Sequence, residues 1–304
     1  MFFLLLAAAL PALALERFEA VEPVMGTLFR IVVYAESSSQ AREGFDVAFA
    51  RARALDDRLS DYRADSELNR LCRAGSAAVS QDLFAVLKVA VEIARSSGGA
   101  FDPTLGPFTR LWRESRRSGR LPSAEAVVEA RGRTGWRKIK LNARTRTVRL
   151  ATTGMQLDLG GIAKGFAAQE MLAVLRKIGM PSALVAASGD IALGDAPPGR
   201  TGWSVEAGGR DRVLSNCGVS TSGPDAQFVT IGGRSYAHIV DPRTGIGLIN
   251  ARTAAVIALT ATLADALATA AVVLDPTSAQ RLAGRWKAVC LRNTTTTEVE
   301  RITK

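Results

Sequence analysis

Leu157-Asp158-Leu159-Gly160-Gly161-Ile162-Ala163-Lys164-Gly165 is the stretch around which the rest of the chain can be read. A short apolar run carries an acid, two glycines follow, and a helical pattern takes over from Phe166. This order predicts a strand, a tight turn and a helix start. Glycine opens backbone conformations closed to other residues and lets a ligand approach closely. The unpaired N–H groups and partial positive charge of a helix N-terminus suit phosphate. Asp158 and Lys164 are six positions apart and can face one pocket across the turn. Two readings therefore stand side by side, a structural turn and part of a phosphate site. The stretch has neither the glycine spacing of a dinucleotide fingerprint nor the Gly-Lys-Ser/Thr ending of a P-loop.

Downstream, the pattern predicts a helix over Phe166–Ile178 closed by Gly179, then a buried strand at Ala183–Ala187. Further strands are expected at Trp203–Glu206, Gly218–Thr221, Gln227–Ile231, Tyr236–Val240 and Ala254–Ala258, with Gly232-Gly233 as a hairpin turn. Helices at Leu263–Leu274 and Thr277–Ala283 and a strand at Trp286–Leu291 complete this half. Upstream, Leu28–Tyr34 alternates as a strand does, and Phe45, Phe49, Ala52, Leu55 and Leu59 recur at helical spacing behind Ser39 as cap. A short helix starts near Asp65, and another runs from Ser80 to Ser97-Gly98-Gly99. A helix from Ser123 and a hairpin of Ile139–Leu141 with Thr147–Leu150 lead back to Gln156–Leu159. Helices and strands mix without strict βαβ alternation. The expected class is α+β, with mixed, largely antiparallel sheets and packed helices. No repeat or linker divides residues 15–304, which read as one domain.

Of the 304 residues 47% are hydrophobic and 22% charged, which supports a substantial core and excludes a disordered chain. Residues 1–14 form an apolar run ending in Ala12-Leu13-Ala14, read as a secretory signal peptide and hence as export. An apolar first strand or a retained anchor is the other reading. Cys72, Cys217 and Cys290 are far apart and lack metal-ligand spacing, so buried thiols are expected. Thirteen Lys and Arg against three Glu lie between Arg110 and Arg149, which matches the net charge of +10 of the whole chain. The exported reading argues against nucleic acid. A solvated basic face, or a surface for an anionic membrane or an acidic partner, remains.

His238 is the only histidine and stands near the end of a predicted strand, before Asp241-Pro242. An imidazole titrates near neutrality and can serve as acid or base, although a lone histidine is more often structural. Asp265 and Thr269 stand four apart in an otherwise small, apolar helix and share one face. A carboxylate there needs a partner. A hard cation such as Mg²⁺ suits a carboxylate with a hydroxyl, and a cap or an arginine pair is the structural alternative. Ser220-Thr221-Ser222-Gly223 is polar but lacks a nucleophile elbow, so a serine hydrolase is a poor reading.

Seven motifs occur in order: Met25-Gly26-Thr27; Leu59-Ser60-x-Tyr62 with Ser66-Glu67-Leu68; Gly99-Ala100-Phe101-Asp102-Pro103-Thr104; Asp158 to Gly165; Ser220 to Gly223; His238-Ile239-Val240-Asp241-Pro242-Arg243-Thr244-Gly245; and Asp265-Ala266-Leu267-Ala268-Thr269. In this the chain resembles the ApbE family, the FAD:protein FMN transferases of the bacterial periplasm. The resemblance covers nearly all of the chain after residue 14. It implies Mg²⁺-dependent cleavage of FAD, release of AMP, and a phosphoester between FMN and a Thr or Ser hydroxyl of an acceptor protein. By the same resemblance, Tyr62 stacks on the flavin nucleotide, and Met25, Ala100, Phe101, Asp102, Asp158, Lys164 and Val240 line the FAD site. The metal falls to the Gly161 carbonyl, Asp265 and Thr269, and proton transfer to His238. An FAD pyrophosphatase and a flavin-binding protein without turnover are the alternatives. Ser188-Gly189-Asp190 departs from the Gly-Gly-Asp or Gly-Gly-Asn usual after the central strand. Ala268 stands where some members carry another acid, which leaves one or two metal ions open.

Overall fold

The computed structural model describes residues 15–223, 228–249 and 252–295. The apolar run 1–14 and Gln227 of a predicted strand lie outside them. The first half contains β1 (Glu16–Val24), β2 (Thr27–Ala35), α1 (Ser38–Leu59), α2 (Glu67–Ala74), β3 (Ser76–Ala78), α3 (Gln81–Ser96), α4 (Gly106–Ser118) and α5 (Ala124–Gly132). Next come β4 (Ile139–Asn142), β5 (Thr147–Leu150), α6 (Ala163–Lys177), β6 (Ala183–Ala187), β7 (Asp190–Leu193), β8 (Trp203–Glu206) and β9 (Asp211–Leu214). The chain continues through β10 (Cys217–Ser222), β11 (Phe228–Ile231), β12 (Arg234–Asp241), β13 (Ile246–Ile249), β14 (Arg252–Ala258), α7 (Ala261–Val273), α8 (Pro276–Arg285) and β15 (Val289–Thr295).

The main sheet has the order β1-β2-β6-β7-β10-β14-β15, with antiparallel pairing at every step. Smaller sheets are β11-β12-β13, β3-β5-β4 and β8-β9. The α+β expectation therefore holds. Helices α6 and α7 pack against each other and against the main sheet, and α1 packs on α6. Helix α7 is apolar almost all round (Ala, Leu, Val) and is buried all round, as that composition demands. A second cluster joins Val32, Leu193 and Val219 of the main sheet to Trp203 and Val205 of β8. A third joins Phe108 and Trp112 of α4 to Tyr236 and Val240 of β12. Among the described residues no helix is long and apolar enough to cross a membrane.

Several expectations need correction. Leu157–Leu159 is not a strand. Its apolar side chains are buried, but its N–H groups go to Cys72 Sγ (Leu157, 3.3 Å) and to the Pro103 carbonyl (Asp158, 2.9 Å). Helix α6 starts at Ala163, so Lys164 lies in its first turn. Ser37, not Ser39, caps α1. Trp286 closes α8, and the last strand begins only at Val289. Only Cys290 is fully buried; Cys72 and Cys217 are half-buried. In the basic segment Arg113 and Arg116 line a cavity, while Arg117, Arg120, Lys140 and Arg144 are exposed to solvent.

Candidate active site

A cavity of about 300 Å³ lies among the loop after α1, the loop before α4, the α6 start, β10, β12 and α7. Eleven of the twelve residues singled out above line it: Tyr62, Ala100, Phe101, Asp102, Asp158, Gly161, Lys164, His238, Val240, Asp265 and Thr269. Met25 does not. It holds the tight β1–β2 turn at φ 51° and packs, half-buried, on the core.

The floor is built where α6 meets α7. Gly165 has no side chain, and an added Cβ would stand 2.3 Å from the Ala261 carbonyl oxygen and 2.7 Å from Asp265 Cβ. The close approach lets the Gly165 N–H donate to Asp265 Oδ2 at 2.9 Å. A carboxylate from α7 thus caps α6, and one of the N–H groups expected to await a phosphate is already used. Lys164 Nζ lies 4.0 Å from Asp265 Oδ2 and 2.8 Å from Asp190 Oδ2. Ser220 donates to the other Asp190 oxygen at 2.6 Å, which holds that carboxylate in place. Both acids are 3% exposed. Burial, then the Asp190 charge, push the Asp265 carboxyl up to about 7, against Lys164 and the Gly165 N–H. Burial disfavours the Lys164 ammonium, but the two carboxylates outweigh it and hold it above its ordinary value.

Beside this pair, Thr269 Oγ1 donates to the Gly161 carbonyl at 3.4 Å. Thr269 lies one turn beyond Asp265, so carboxylate, hydroxyl and carbonyl oxygens all reach the cavity from one corner. These hard oxygen donors fit a magnesium-sized cation that fills its remaining positions from water and phosphate. Among the described residues no group of three or more His, Cys, Asp or Glu is placed to hold a metal ion.

His238 faces the cavity from β12. The β12–β13 register slips between Tyr236 (opposite Ile249) and Val240 (opposite Gly247). A bulge there re-aims the side chains it carries, and His238 sits at its centre. The following turn is clamped on α4. Trp112 Nε1 donates to the Gly245 carbonyl at 3.0 Å, and Gly245, at φ 73°, leaves no room for a Cβ beside Phe108.

Asp102 bonds the Thr104 N–H (2.9 Å), the Thr104 hydroxyl (2.6 Å) and the Trp136 N–H (3.1 Å). It shapes the loop that carries Ala100 and Phe101. Phe101 and Val240 are almost wholly buried and give the cavity its form. Asp158 Oδ1 accepts the Gly160 N–H at 2.8 Å, which sets the glycine turn. The charged cavity residues Asp61, Arg113, Arg116 and Asp190 were missed from sequence. Asp190 could have been suspected as an acid inside an apolar strand. The Asp61–Arg113 pair, at 2.5 Å, joins two distant segments and left no local signal.

The site thus sets the chain's one histidine in the same cavity as a buried, carboxylate-rich floor, an acid–base group beside fixed charge, as enzymes use. The ApbE family profile matches residues 25–291, and the chain belongs to that family. It is 38% identical to a FAD:protein FMN transferase of Treponema pallidum (strain Nichols), over 83% of this chain and 77% of that protein. A protein of the same description from Chlamydia trachomatis is 30% identical, over 82% of each. The Pseudomonas stutzeri flavinyl transferase ApbE, solved in its apo form, superposes with a TM-score of 0.80 at 28% identity, covering 93% of this chain and 95% of that one.

Proposed function

We propose that the chain transfers FMN from FAD to a Ser or Thr hydroxyl of an acceptor protein, with Mg²⁺ and with release of AMP. The transferases named above support the FAD and protein specificity. The charge balance of the cavity carries the metal requirement. Among the described residues five aspartates (Asp61, Asp102, Asp158, Asp190, Asp265) face it against Lys164, Arg113 and Arg116. A pyrophosphate meets net repulsion there unless another cation accompanies it.

Gly161, Asp265 and Thr269 would hold that cation. When bound, magnesium supplies charge neutralisation for the pyrophosphate and for the departing phosphate. Lys164 holds Asp190 and Asp265 in place and adds positive charge beside them. Tyr62 offers a ring face to the flavin. The acceptor oxygen forms its bond to the phosphorus of the FMN half, and the bridging P–O bond breaks with its electron pair leaving on AMP. His238 takes up the hydroxyl proton. The apolar run 1–14 supports export, so the reaction is placed in the periplasm under this proposal.

The test is AMP release from FAD by the full chain in the presence of acceptor, with magnesium and with a chelator. Magnesium-dependent AMP matched by covalent flavin supports the proposal. AMP with free FMN only would make the protein a pyrophosphatase, and unchanged FAD would leave a binding protein.

A further inference from the structure

Tyr62 exposes 74% of its surface, yet its ring is held. The guanidinium carbon of Arg113 stands 3.9 Å from the ring centroid. Arg113 Nη2 donates to Asp61 Oδ2 at 2.5 Å, and the two side chains are only 23% and 15% exposed. The backbone around the ring is held as well. The Asn69 amide donates to the carbonyls of Asp61 (3.0 Å) and Arg63 (2.8 Å), on either side of Tyr62. Arg113 itself sits on α4, which Phe108 and Trp112 anchor to the core.

A solvent-facing tyrosine normally samples several rotamers, and ordering it costs binding free energy. A cation stacked on one face holds the ring and covers that face. Tyr62 and Arg113 both line the cavity, and the ring face that Arg113 does not cover is left open. Arg113 is flanked by Asp61 and Asp158, which offset its charge and make it a poor phosphate anchor. We propose that Arg113, locked by Asp61, is a positioning residue: it fixes Tyr62 in advance so that the uncovered face receives the planar ring of the ligand. The inference rests on the flavin reading above and adds the device that prepares its stacking platform.

The test is calorimetric binding of FAD, FMN and AMP to the full chain, for wild type, Arg113→Met, Arg113→Lys, Tyr62→Ala, Tyr62→Phe and the Arg113→Met/Tyr62→Ala pair. Arg113→Met is expected to weaken FAD and FMN binding about fivefold to tenfold and to leave AMP unchanged. Tyr62→Phe keeps wild-type affinity. In the Tyr62→Ala background the Arg113→Met effect disappears, as coupled neighbours require. Arg113→Lys keeps a charge beside Asp61 without a stacking plane; it is expected to fold and still to lose FAD affinity. An Arg113 effect that persists without the Tyr62 ring, or that extends to AMP, would overturn the inference. FAD binding unchanged in both Arg113 variants would overturn it alone, whereas wild-type protein that binds neither FAD nor FMN would overturn the flavin reading with it.

Discussion

The Lys164 ammonium lies 2.8 Å from one oxygen of Asp190 and 4.0 Å from Asp265, so a single cation serves two buried carboxylates from β7 and α7. The floor of the cavity is thereby left short of positive charge, and the proposed magnesium would make up that shortage.

Lys164→Met removes the only charged partner that Asp190 and Asp265 have among the described residues. Two carboxylates left together in a buried site are expected to cost about 3 kcal/mol. Thermal melts at neutral pH should show a clear drop. A melting temperature equal to wild type would mean that the pair does not depend on Lys164.

Thr269→Val deletes one proposed oxygen ligand with almost no change of shape. It should cost only about 1 kcal/mol of stability while raising the magnesium needed for half-maximal activity at least about tenfold. Gly161→Ala should do the same by another route, because its Cβ would stand 2.8 Å from Thr269 Cγ2 and 2.9 Å from Oγ1. Metal titrations matching wild type in both variants would remove this corner as the metal site.

Acid stability should depend on Asp82. Arg51 bonds both of its oxygens at 2.7 Å, and Arg58 adds a further contact. The Arg51 hydrogen bonds hold the carboxyl below its ordinary value of 3.8. A depressed folded value stabilises above the unfolded one, and the gain is lost as pH falls through the folded value. Asp82→Asn should therefore cost about 2 kcal/mol near neutral pH and progressively less once the pH drops below 3.8. A gap that stays constant down to about pH 2 would contradict this.

Ser188 occupies the β6–β7 turn at φ 57°, in the left-handed region. That conformation costs a non-glycine residue roughly 1–2 kcal/mol, while glycine adds unfolded-state entropy worth roughly 0.4–1 kcal/mol. The strain is the larger quantity, so Ser188→Gly should raise stability by up to about 1 kcal/mol. Denaturant titration with a lower midpoint would reverse that ordering.

Much of the body was legible because its patterns are local. The stripe from Phe45 to Leu59 marks α1, Gly232-Gly233 marks the β11–β12 turn, and Asp265 with Thr269 stood out as polar residues in an apolar helix. Strand β1 escaped because it is an edge strand, where Glu16, Arg17, Glu19 and Glu22 dilute the apolar alternation. Helix α4 escaped because arginines fill its exposed face and Pro107 opens it. The strand expected at Leu157–Leu159 failed because burial there is satisfied by irregular chain. The bulge that aims His238 depends on register with β13, and the Arg113–Tyr62 stack joins residues 51 positions apart. Neither leaves a periodic trace.

The most direct test of the central claim adds purified protein, FAD and magnesium to an extract of cells lacking this gene, then reads flavin fluorescence on a denaturing gel. Discrete fluorescent protein bands are expected with wild type, and none with His238→Ala although that variant still binds FAD. Absence of bands with wild type while FAD is consumed, or equal bands with His238→Ala, would contradict that claim.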